Sequence, residues 1–87
     1  TEFLIFQNQM SYNKKIEKEM IINLCNNKYE TPLYVASLYQ HFDIVEILLK
    51  SDKKINIHAA NYLNFTPLDI AVANNYYDIC FLLLKHG

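Results

Sequence analysis

The chain has 87 residues, of which 52% are hydrophobic with a single Gly and two Pro; this limits it to one small domain and excludes a disordered composition. Its net charge is −1, with no arginine and no basic block, so clustered-cation binding of nucleic acid or of a membrane surface is excluded. The longest apolar runs, Phe3–Phe6 and Ile79–Leu84, are far too short to cross a bilayer.

A chain this small buries only about 60% of the surface it exposes when unfolded, so it needs a dense core or neighbours to lean on. Thr1 is not an initiator Met, which is expected of a chain processed or cut from a longer one. Cys25 and Cys80 are far apart with no CxxC partner; they read as core or near-core thiols in a reducing compartment.

In chain order, residues 1–25 carry two readings. Lys14 onward fits an amphipathic helix capped by Asn13, with Ile16, Met20 and Leu24 on one face. Alternatively, Ile22-Asn23-Leu24 matches Ile55-Asn56-Ile57 and closes an earlier unit, with Phe3–Phe6 ending that unit's second helix and an insertion from Gln7 to about Met20. Either way the segment caps the rest of the chain.

Next, Thr31-Pro32-Leu33 returns as Thr66-Pro67-Leu68, a period of 35. Over 31–50 and 66–85, nine of twenty positions are identical, among them Ala36/Ala71, Ile44/Ile79, Leu48/Leu83 and Leu49/Leu84. Each Thr is an N-cap, worth roughly 1 kcal/mol. Each Pro sits at a first helical position, where its missing N–H costs nothing. Short helices are therefore expected from Pro32 and from Pro67. Leu33, Ala36 and Ser37 share one face of the first, as Leu68, Ala71 and Val72 do of the second. After breaks at Gln40-His41 and Asn75-Tyr76, second helices follow. Their expected core positions are Ile44, Val45, Leu48 and Leu49, then Ile79, Cys80, Leu83 and Leu84. Neither helical hairpin can bury its apolar faces alone, so the two must stack.

The Thr-Pro-Leu openings, the Ala three residues on from Leu, the closing Leu-Leu and the Ile55-Asn56 element resemble the ankyrin repeat over roughly residues 26–87. The resemblance implies an all-α solenoid of stacked helix-turn-helix units with β-turn fingers. It divides the chain into a degenerate N-terminal repeat or cap at 1–25 and repeats at 26–60 and 61–87, with an array that continues beyond 87. Asn26 and Asn61 then start the finger turns, where the family usually has Asp. Tyr34 and Asp69 replace the family's His, so the usual Thr–His bonding is lost or rebuilt. Gln40 and Asn75 stand where the family has a turn Gly, and the left-handed backbone expected there costs Gln roughly 1–2 kcal/mol. The link from Ser51 to Ala60 is about two residues longer than usual and is expected to be a mobile loop.

No catalytic chemistry is legible. His41, His58 and His86 have no metal-ligand spacing, no Gly-rich phosphate loop exists, and Ser11, Ser37 and Ser51 lack a nucleophile context. Glu17 and Glu19 read as a solvated helix face. No cofactor and no metal is expected.

By the resemblance, partners meet the finger tips and the exposed side of each first helix: Asn27, Lys28, Glu30, Leu38 and Tyr39, then Tyr62, Leu63, Phe65, Ala73 and Asn74. Tyr39, Tyr62, Leu63 and Phe65 supply the large side chains typical of binding anchors. The competing reading has these rings folding back onto the neighbouring finger. Phe81, at the position of Glu46, is expected to be exposed unless a further repeat covers it. The expected function is protein–protein interaction by a non-enzymatic module inside the cell, in the cytoplasm. The alternative is a structural spacer within a longer array. The expected partner is another protein, with no nucleic acid and no membrane insertion, beside further repeats of the same parent chain.

Overall fold

A computed structural model of the chain describes residues 22–51 and 54–87. The features expected at Phe3–Phe6, at Asn13–Met20 and at Lys53 lie outside these residues. Among the described residues there are four helices and no strand: α1 (Pro32–Leu38), α2 (Phe42–Ser51), α3 (Pro67–Ala73) and α4 (Tyr77–His86).

Both first helices begin where the Thr-Pro signals place them. Thr31 Oγ1 accepts from Tyr34 N at 3.2 Å, and Thr66 Oγ1 accepts from Asp69 N at 3.1 Å. Asp69 also reaches back, its Oδ2 accepting from Thr66 N at 2.9 Å, which closes a capping box. The departure at position 69 has therefore rebuilt the start of α3 by another route.

Both first helices end in a left-handed cap. Gln40 has φ 59° and Asn75 has φ 61°. Gln40 N donates to Ser37 O and His41 N to Ala36 O; Asn75 N and Tyr76 N repeat the pattern onto Val72 O and Ala71 O. These bonds use the last carbonyls of the helix and turn the chain into α2 and α4. Asn tolerates this backbone, whereas Gln carries a Cβ clash. Gln40→Gly is expected to stabilise the chain by about 1 kcal/mol, raising the thermal midpoint by roughly 5 °C in a circular-dichroism melt. An unchanged or lower midpoint would refute the strain.

The hairpins stack with α1 on α3 and α2 on α4. Leu33, Ala36, Val45, Leu49, Ala71, Ile79, Leu82 and Leu83 form the core, closed at one edge by Ile22 and Ile55. Ala36 and Ala71 leave room for close helix approach. Ser37 is buried with them, its hydroxyl donating to Leu33 O at 2.8 Å.

Two expected core positions and one residue of an expected apolar face are corrected. Ile44 is 47% exposed although its repeat mate Ile79 is 0% exposed, and Leu84 is 65% exposed although Leu49 is 6%. Val72 is exposed where Ser37 is buried. Leu49 and Ile79 belong to the core shared by the two hairpins, where α2 packs on α4, and their repeat mates Leu84 and Ile44 lie outside it. Phe81 is exposed, as expected from its alignment with Glu46, which itself pairs with Lys50 at 3.4 Å. The thiol expectation is corrected in part: Cys25 is exposed, because it lies in the chain leading to the finger, and Cys80 is half-buried.

Ile22-Asn23 and Ile55-Asn56 lie against each other. Both isoleucines are buried, and Asn23 Oδ1 accepts from Asn56 N at 2.9 Å. The path from Ile55 to Asn61 is two residues longer than that from Ile22 to Asn26. The extra length is taken up in a turn at Ile57-His58, where Asn56 Oδ1 accepts from His58 N at 3.2 Å.

Candidate protein-binding surface

Two finger turns project beside the first helices, and each is built on one asparagine. In the first, Asn26 Oδ1 accepts from Lys28 N at 2.9 Å and from Glu30 N at 3.0 Å. In the second, Asn61 Oδ1 accepts from Leu63 N at 3.0 Å and from Phe65 N at 2.9 Å. Asn26 N donates to Glu30 O and Asn61 N to Phe65 O, while Tyr29 N and Asn64 N close the turns onto Asn26 O and Asn61 O. Asn is apt here because its carboxamide oxygen can take two backbone donors at once. The turns demand a left-handed residue, supplied by Tyr29 at φ 61° and Asn64 at φ 68°. The fingers are tied to each other by Tyr62 N donating to Lys28 O at 2.9 Å.

This network presents the side chains. Tyr62, Leu63 and Phe65 are all about half exposed on the second finger. Asn27 and Lys28 are exposed on the first, with Glu30 half-buried. At the ends of the first helices, Tyr39, Ala73 and Asn74 are exposed and Leu38 is half-buried. Tyr39 lies near the His41 ring, with centroids 6.3 Å apart, and the Asn74 amide bends back to donate to Ile70 O at 2.9 Å.

Tyr29 was not among the expected contact residues. It is 62% exposed at the tip of the first finger and adds a ring to the row. Its alignment with Asn64 at the 35-residue period marked it as a turn position, and an aromatic residue in a turn that favours Gly or Asn was the available signal.

Beneath the tips, Tyr34 is buried and its Oη accepts from Asn61 Nδ2 at 3.0 Å. Burial pushes the phenol pKa above its ordinary value, and nearby Glu30, Tyr62 and Asp69 add to the shift. Among the described residues, no group of three His, Cys, Asp or Glu side chains could hold a metal ion. No described helix is long and apolar enough to cross a membrane.

A family model for ankyrin repeats, three copies, matches residues 3–87. No curated protein matches the sequence. Ankyrin repeats in general are non-catalytic modules that bind other proteins.

Proposed function

Because the chain belongs to the ankyrin-repeat family, we propose that it is a non-catalytic protein-binding module working through its finger tips and the exposed ends of α1 and α3. The observation that carries this reading is the row of solvent-facing Tyr29, Tyr62, Leu63 and Phe65 on two hydrogen-bonded turns. Large rings on a preorganised backbone lose little entropy on binding and supply apolar area, the combination found at interface anchors. Tyr39, Asn27, Lys28, Glu30, Leu38, Ala73 and Asn74 border the row and complete the proposed surface. The surface has little net charge, so contact area and shape rather than electrostatic steering set its affinity.

The same reading divides the chain into a degenerate unit or capping segment at 1–25 and units at 26–60 and 61–87. The match of the three-copy family model to residues 3–87 and the burial of both Ile22 and Ile55 support it. It also places the protein in the cytoplasm, in keeping with the free thiols of Cys25 and Cys80.

The test is capture of partners from lysate of the source organism, with the chain and its Tyr62→Ala/Phe65→Ala variant as baits. The variant should keep its helical circular dichroism, since both rings are half exposed, and should lose the partner by at least about 100-fold in affinity, as expected for two anchors. A partner held equally by the folded variant, or none held by the parent, would favour the spacer reading.

A further inference from the structure

We infer that Tyr34 is a positioning residue for the second finger: a buried hydrogen bond from one unit sets the aromatic tip of the next. The inference deepens the binding reading above, since Tyr62, Leu63 and Phe65 form that tip.

The two finger asparagines differ in what their amide nitrogens reach. A carboxamide can flip by half a turn, and only one orientation aims its oxygen at the finger's backbone N–H groups. The amide nitrogen must then find an acceptor elsewhere. In the first finger, Asn26 Nδ2 donates to Glu30 Oε1 at 2.8 Å, within the same turn and in an exposed setting. One period on, the position of Glu30 is held by Phe65. That exchange gives the second finger an apolar ring and removes its internal acceptor. Asn61, unlike Asn26, is also buried, so its amide cannot turn to water instead.

Tyr34 restores the acceptor from outside the finger. It stands in α1, at the position where α3 has Asp69, and its Oη reaches Asn61 Nδ2. The Asp69 carboxylate is engaged in its own capping box, so the two units use this position differently. Aligned with each other, the repeats show a compensated pair: Phe65 in place of Glu30, and Tyr34 from the preceding unit in place of the lost carboxylate. The fixed carboxamide then holds Leu63 N and Phe65 N, and the orientation of the tip depends on a residue that does not touch the partner.

Tyr34→Phe removes the acceptor oxygen alone. Amide exchange measured by NMR on the free full chain is expected to quicken about ten-fold at Leu63 and Phe65, with Lys28 and Glu30 unchanged. A merely structural role would shift both fingers together. Tyr34→Phe/Phe65→Glu supplies an acceptor inside the finger, as Glu30 does in the first, and is expected to restore protection at Leu63; it serves equally if the single variant folds poorly. Equal exchange in both fingers, or no rescue by the introduced carboxylate, would overturn the inference. Because exchange is read without a partner, its outcome is separate from that of the capture experiment.

Discussion

Replacing Ile79 by alanine is expected to lower the free energy of unfolding by about 3–4 kcal/mol, whereas Ile44→Ala, at the same place in the other unit, is expected to cost about 1 kcal/mol. The two residues match in sequence position, helix and neighbouring Asp. They differ in surroundings, since Ile79 is fully buried in the core and Ile44 is half exposed. Truncating Ile79 removes its transfer energy and leaves a cavity lined by core side chains that stacking holds in place. A chain of this length has roughly 4–13 kcal/mol of stability in total, so Ile79→Ala brings it near the threshold of folding. Urea denaturation followed by circular dichroism reads both midpoints. Similar losses at the two positions would refute the difference in burial.

Asn61→Ala is expected to cost about 3 kcal/mol, and Asn26→Ala about 1 kcal/mol. Each alanine deletes the acceptor for two backbone N–H groups of its finger. In the first finger, water replaces the lost partner, because Asn26 is exposed. In the second, the side chain is buried and Tyr34 Oη loses its donor in the interior. Asn61→Asp provides the control. A carboxylate still accepts from Leu63 N and Phe65 N, and the Tyr34 hydroxyl can donate to it, so most of the stability is expected to remain. Chemical denaturation of the three variants measures the difference. Equal losses for Asn61→Ala and Asn26→Ala would refute the part played by burial.

The capping box shows how a departure from the family pattern resolved. Tyr34 and Asp69 both stand where the family has His, and the sequence left open whether the lost bonding was rebuilt. It was rebuilt within the first turn only at Asp69, whereas the Tyr34 side chain bonds elsewhere. Asp69 acts within its own first turn, at a separation of three residues, which can be read from a linear motif. Tyr34 acts on Asn61, 27 residues away, and no local rule pairs a phenol with that carboxamide.

The helix starts at Pro32 and Pro67, the left-handed caps at Gln40 and Asn75, the finger turns at Asn26 and Asn61 and the stacking of two hairpins were legible in the amino-acid sequence, because each rests on bonds between residues a few positions apart or on a repeated apolar pattern. Family membership followed from the same motifs. The repeat could not tell which of two matched residues is buried. Ile44 and Ile79, or Leu49 and Leu84, are equal in sequence, yet burial depends on which of them enters the core shared by the two hairpins. The coupling of Tyr34 to Asn61 and the tie between Tyr62 and Lys28 were likewise decided by the packing of one unit on the next. Local hydrogen bonds are encoded by near neighbours in the chain, whereas solvent exclusion belongs to the assembled stack.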